Sequence, residues 1–147
     1  MPNLLYLAIA AVSGAAMAVQ GTFNSVMGKA IGVWESTLVV HIIGTLTVLI
    51  IMLVIGTGFN NFSKLSEVPW YAYLGGLLNV LIIFAVVKTM PKIGVGNATT
   101  AIIVAQVSTA ILIDSLGLFG MKKYEFQYID LLGVALLAVG ARILLID

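Results

Sequence analysis

Five apolar runs, each about twenty residues long, leave this chain one possible solvent. They cover about residues 3–26, 35–56, 69–87, 95–118 and 126–146. An α-helix rises 1.5 Å per residue, so about 20 residues cross a hydrocarbon core roughly 30 Å thick. Hydrophobic residues make up 61% of the chain and charged residues 9%. A soluble domain carries roughly 25% charged residues to solvate its surface, and this chain cannot coat a water-facing globule. The expected fold is all-α and integral to the membrane. It is a single five-helix transmembrane domain over residues 1–147, in contact with the lipid bilayer. Gly28-Lys29-Ala30-Ile31-Gly32 is expected to break the first helix, and Gly58–Lys64 is the longest polar connection. Pro69 suits the first turn of the third helix. Lys88–Lys92, with Pro91, reads as a turn, and Gly120–Lys123 ends the fourth span.

The seven Lys and Arg are the next constraint. Lys64, Lys122 and Lys123 fall on the amino-terminal side, and Lys29, Lys88, Lys92 and Arg142 on the other. The Lys/Arg bias of short loops orients a membrane protein. Three against four gives no preferred orientation. Insertion both ways is expected, and with it pairing with an inverted second copy. A net charge of +1 argues against nucleic acid, and no basic run is long enough to tether the chain to anionic lipid. Zero Cys removes disulfides, thiolate metal sites and cysteine catalysis. The leader lacks Lys and Arg, and apolar sequence continues past Ala15-Ala16-Met17-Ala18, so the first span is not expected to be a cleaved signal peptide. Gly94-Val95-Gly96-Asn97 lacks the third glycine, the preceding strand and the acidic partner of a dinucleotide loop. No metal cluster or nucleophile–base pair is visible, so neither a cofactor nor an enzyme is expected.

Polar groups inside the spans are costly and need a partner helix or a cavity. Gln20 and Asn24 are four residues apart and share a helix face, with Ser13 continuing the stripe. Asn79 and Gln106 fall near the middle of spans three and four. Two readings stay open for these amides. They bond helix to helix, at around 1 kcal/mol or less per contact, or they wall a midplane substrate cavity. Glu35 opens span two, where the helix dipole stabilises a carboxylate. Asp114, near the end of span four, reads as an interfacial acid close to Lys122 or Lys123. If two copies pack upside down, Glu35 of one and Asp114 of the other approach the same level and form an ion-responsive gate. His41 lies about 9 Å along the helix from Glu35. It reads either as a proton carrier or as a neutral ring bonded to a backbone carbonyl. Gly75 and Gly76 thin the third helix, while Gly133 and Gly140 give the fifth a narrow packing face. Asp130 reads as a dipole partner opening span five, and Arg142 as a snorkelling cation.

Together, Val19-Gln20-Gly21-x-x-Asn24, Gly75-Gly76, Gly94-Val95-Gly96, Gln106 and Asp114 resemble the YdcZ-type family. This is a five-helix branch of the drug/metabolite transporter superfamily, and the resemblance runs along essentially the whole chain. It implies a half-transporter of the bacterial inner membrane that assembles as an antiparallel homodimer with an inverted repeat. The partner is an identical copy or an oppositely oriented paralogue. Small multidrug resistance proteins of the same superfamily carry a glutamate in their first helix. This chain has no acid in span one, so their proton coupling is not carried over. The resulting expectation is a secondary transporter moving a small polar or weakly charged organic solute by alternating access. Gln20, Asn24, Asn79 and Gln106 would line its site, and Glu35, His41 and Asp114 would gate it or couple protons. A non-transporting assembly or chaperone subunit is the alternative, with the amides bonded to one another in a dry interface. A membrane enzyme is a third reading, for which no catalytic pair is visible within one chain.

Overall fold

The computed structural model describes residues 4–145. Asn3 and Ile146, the outer limits expected of the first and last spans, lie outside them. The described residues form α-helices α1 (Leu4–Ile31), α2 (Val33–Ile55), α3 (Leu74–Ile93), α4 (Val95–Leu116) and α5 (Tyr128–Leu144), with no strand among them. Short 3₁₀ segments cover Asn60–Glu67, Trp70–Tyr73 and Leu118–Gly120. Among the described residues four helical stretches are long and apolar enough to cross a membrane: Leu4–Ile31, Val33–Ile55, Trp70–Ile93 and Val95–Leu116. α5 has 17 residues. The chain divides into two compact units, one up to Lys92 and one from Ile93.

In the first unit α3 lies against the bare backbone of α1. Gly21, Asn24 and Ser25 are the buried residues of α1, and Ile83, Val87 and Met90 those of α3. A Cβ at Gly21 would stand 2.7 Å from Met90 Cε and 3.1 Å from Val86 Cγ1. One at Gly28 would overlap Val87 Cγ1 and stand 3.3 Å from Ser36 Oγ. Small residues let membrane helices approach closely, and van der Waals contact then holds them. This contact carries α1 through Gly28-Lys29-Ala30, where a break was expected, to Ile31. Likewise α3 runs through Pro91 to Ile93. Proline there removes one hydrogen bond, to the Val87 carbonyl, while Val87 and Met90 stay packed.

Both helix corners therefore shrink to one glycine. Gly32, at φ 102° and ψ 157°, alone separates α1 from α2. Its N–H donates to the Gly28 carbonyl at 3.1 Å, and its carbonyl accepts from the Ser36 N–H at 3.1 Å. Gly94, at φ 83° and ψ 158°, alone separates α3 from α4, and its carbonyl accepts from the Ala98 N–H at 3.1 Å. The surrounding sequences repeat: Ile31-Gly32-Val33-x-x-Ser36-Thr37 and Ile93-Gly94-Val95-x-x-Ala98-Thr99, with Ser36 and Ala98 both buried. The backbone here is one that side-chain-bearing residues rarely adopt.

On α2 polarity is arranged inside out. The buried residues of α2 are Ser36 and Thr37, whereas Leu53 and Val54 are 72% and 81% exposed. A helix apolar on its outer faces meets lipid or a partner. Several interior hydroxyls are satisfied by their own helices, whereas Thr99 Oγ1 is buried without a hydrogen-bond partner. Ser25 donates to the Gly21 carbonyl at 2.8 Å, and Thr37 to the Val33 carbonyl at 2.7 Å. Trp34 stacks on Phe84 with ring centroids 4.5 Å apart, joining α2 to α3.

In the second unit α4 packs on α5. α4 ends at Gly117 in the left-handed conformation, its N–H donating to the Asp114 carbonyl at 3.3 Å. The Tyr124 N–H returns to the same carbonyl at 3.0 Å. α5 opens on a capping box: the Gln127 N–H donates to the Asp130 carboxylate at 2.9 Å, satisfying an otherwise orphaned donor. At the far end the Arg142 guanidinium donates to the Leu145 carbonyl at 3.3 Å.

Candidate solute groove

A groove of about 460 Å³ opens within the first unit. Volumes of roughly 300–1,000 Å³ suit small organic ligands. α2 supplies one wall through a single stripe, since His41, Gly44, Thr45, Val48 and Met52 recur at helical spacing. α1 contributes Gln20, and α3 contributes Asn79 and Ile83. Phe62 closes the lining from the Asn60–Glu67 segment. That segment is tied to the approach to α3 by Tyr73, whose hydroxyl donates to the Leu65 carbonyl at 2.6 Å.

His41 is the centre of the groove's polarity. Its Nδ1 lies 2.7 Å from the Thr37 carbonyl, one turn earlier on α2. A carbonyl oxygen only accepts, so Nδ1 carries the proton. The neutral ring then presents Nε2 as an acceptor, and Asn79 Nδ2 donates to it at 3.1 Å. This bond joins α2 to α3 across 38 residues of sequence. His41 thus has the carbonyl-bonded arrangement, with its second nitrogen turned to the groove.

The other expected site residues are distributed differently. Asn24 is buried on the face of α1 that carries Gly21, and it does not line the groove. Gln106 is exposed on α4, in the second unit. Glu35 is exposed in the first turn of α2, its carboxylate folded over Gly32 so that a Cβ there would collide with it. Asp114 lines a smaller hollow of about 150 Å³ with Ser115, Tyr124, Glu125 and Asp130. Gly75, Gly76, Gly133 and Gly140 have no heavy atom within 4 Å of where a Cβ would stand. Thr45 and Phe62 escaped the sequence reading. Thr45 follows His41 by four residues, which places both on one face. Nothing in the sequence marks Phe62.

Gln20, Thr45, Asn79 and a neutral imidazole thus line one largely apolar groove on lipid-facing helices. Such a site can hydrogen-bond one small molecule in both senses and bury its apolar part. The comparisons agree with a transport role. A family model described as "Putative inner membrane exporter, YdcZ" (DMT_YdcZ) matches residues 5–143. No curated protein and no solved structure matches the chain. With its match spanning nearly the whole sequence and four long apolar helices, the chain belongs to the DMT_YdcZ family of multi-pass inner membrane transport proteins.

Proposed function

We propose that this chain is one half of a secondary transporter. It moves a small polar or weakly charged organic solute by alternating access and works as a dual-topology, antiparallel homodimer of ten helices. The groove carries this reading: Gln20, His41 and Asn79 converge on an apolar-walled cavity in a lipid-facing bundle. Asn24 and Gln106 are the further amides of the proposed polar set. Glu35 of one copy and Asp114 of the other form the gate. The near-even Lys/Arg distribution supports insertion both ways. Gly75, Gly76, Gly133 and Gly140, open in the single chain, offer narrow faces on which an inverted copy can seat.

The test fills the groove. A Cβ at Gly44 would meet no heavy atom within 4 Å, and Gly44 lines the groove, so Gly44→Phe projects its ring into the cavity from a position with room for a side chain. The purified protein is screened by thermal unfolding against small polar and amphipathic solutes. A solute bound at about 100 times its Kd stabilises the folded state by about 2.7 kcal/mol. At least one is expected to raise the unfolding temperature of wild type and leave Gly44→Phe unmoved. Equal shifts in both proteins, or none in either, refute the groove as the solute site.

A further inference from the structure

We infer that the groove takes small monocarboxylic acids and that His41 receives the acid's proton. This rests on reading the groove as the solute site.

The argument starts from what can change charge there. The Thr37 carbonyl fixes the Nδ1 proton at 2.7 Å, which leaves Nε2 as the ring's free basic atom, and Asn79 Nδ2 touches it at 3.1 Å. Histidine is the side chain that ordinarily changes charge between pH 5 and 8. No other lining residue titrates. α1 brings Gln20, α3 brings Asn79 and Ile83, and the Asn60–Glu67 segment brings Phe62. That segment's Lys64 and Glu67 are exposed and outside the lining. On α2 the nearest acid is Glu35, about 9 Å along the axis. On α3 the Lys88 ammonium is engaged at 5.4 Å over the Phe84 ring.

A permanent cation would find no counter-charge in this groove, and a bare carboxylate would find none while His41 is neutral. Unpaired charge in an apolar site is costly. A protonated carboxylic acid meets neither cost. Its O–H bond breaks as an N–H bond forms on Nε2. The acid is left as a carboxylate beside an imidazolium, so the charges arise as an adjacent pair and their sum stays zero. One carboxylate oxygen accepts from the new Nε2–H. The other accepts from Asn79 Nδ2, which leaves Nε2, and Gln20 supplies a further amide donor in the same groove. Val48, Leu49 and Ile83 cover the alkyl chain. The solute is carried with its own proton, and the cycle moves no net charge across the membrane.

Hexanoate, hexanamide and hexylammonium separate the possibilities, since they share a tail and differ in charge and acidity. Each is titrated calorimetrically into the protein in nanodiscs, in buffers of different ionisation enthalpy. Around neutral pH hexanoate is ionised in water, so its binding is expected to take up one proton per molecule. Its affinity should fall about tenfold per pH unit as the medium becomes alkaline, because one proton is linked to binding. Proton uptake should vanish in His41→Gln, with affinity lowered at least tenfold, and binding should be lost in Gly44→Phe. Proton uptake by wild type does not depend on any variant folding. Hexanoate binding without proton uptake overturns the inference, as does equal or tighter binding of hexylammonium. Tighter binding of hexanamide that is lost in Gly44→Phe overturns the acid and keeps the solute site. Absence of binding by all three probes overturns the acid, and the broader solute screen then decides the site.

Discussion

The contact between α1 and α3 can be tested through Gly28. Adding one methyl there has two opposed effects. Alanine is about 0.8–1.0 kcal/mol better than glycine in a helix. Against that, the methyl must enter the space of Val87 Cγ1, with Ser36 Oγ 3.3 Å away on its other side. Val87 is 2% exposed, and as a β-branched residue in a helix it has one strongly preferred χ1, so it cannot swing aside. Overpacking of this kind costs typically about 1–3 kcal/mol, and the rigid neighbour argues for the upper end. Gly28→Ala should therefore destabilise the first unit by about 2 kcal/mol net. Val87→Ala alone leaves a hole and should cost about 2 kcal/mol. Together the new methyl fills part of that hole. The double variant should be less destabilised than the sum by about 2 kcal/mol, roughly a thirtyfold difference in equilibrium constant.

The assay is reversible unfolding in mixed micelles, read by helical circular dichroism and by Trp34 fluorescence in a Trp70→Phe background. Trp34 stacks on Phe84 of α3, so its emission follows the packing of the first unit. Additivity within about 0.5 kcal/mol would mean that the two positions do not touch, and the account of why α1 continues past Gly28 would fail. A stabilised Gly28→Ala would refute it outright.

Other substitutions separate fold from assembly. Gly75→Ala and Gly140→Ala meet no atoms within the chain, so each should leave unit stability unchanged or raised; if an inverted copy packs there, the fraction cross-linked as dimer should fall. Gly94→Ala should cost about 1–3 kcal/mol from backbone strain alone, and Gly32→Ala more, because it also meets the Glu35 carboxylate; adding Glu35→Ala should bring the two variants level in thermal unfolding. Gln106→Leu should abolish solute-induced stabilisation while dimer yield holds if the amide binds solute, and lower dimer yield if it joins helices. Cysteines at 35 and 114 in separate copies of this Cys-free chain should form a disulfide if the gate exists, which requires Cα atoms within about 7 Å; failure under oxidising conditions would exclude direct contact of the two positions.

Four long apolar helices were legible because such runs admit one structure in lipid. The corners were not. Gly-Lys-Ala-Ile-Gly and Lys-Thr-Met-Pro-Lys have loop composition, yet the helices extend through both to a single glycine. Local propensity lost there to the packing of α3 on α1. The internal repeat around Gly32 and Gly94 was available in the sequence, but its meaning depends on a backbone angle that composition does not carry. The groove's polar lining was legible by residue type and not by grouping. Gln20 and Asn24 differ by only about 40° around α1. That is enough to put Gln20 on the groove and Asn24 in the helix contact.

Which polar residues should be trusted as site markers in a chain like this follows from reach. The hydroxyls of Thr22, Ser25, Thr37, Thr47 and Thr89 all bond the carbonyl four residues back in their own helix. A short side chain satisfies itself this way and carries no information about a cavity. His41 does the same with one nitrogen and has a second to spare. Asn79 crosses to that second nitrogen on another helix. In lipid every polar group needs a partner, so groups with capacity beyond their own helix must find it on another helix, a second chain or a solute. By that measure His41 and Asn79 mark the proposed site, and Gln20 at the groove and Gln106 on α4 are the amides we propose a solute or a second copy engages.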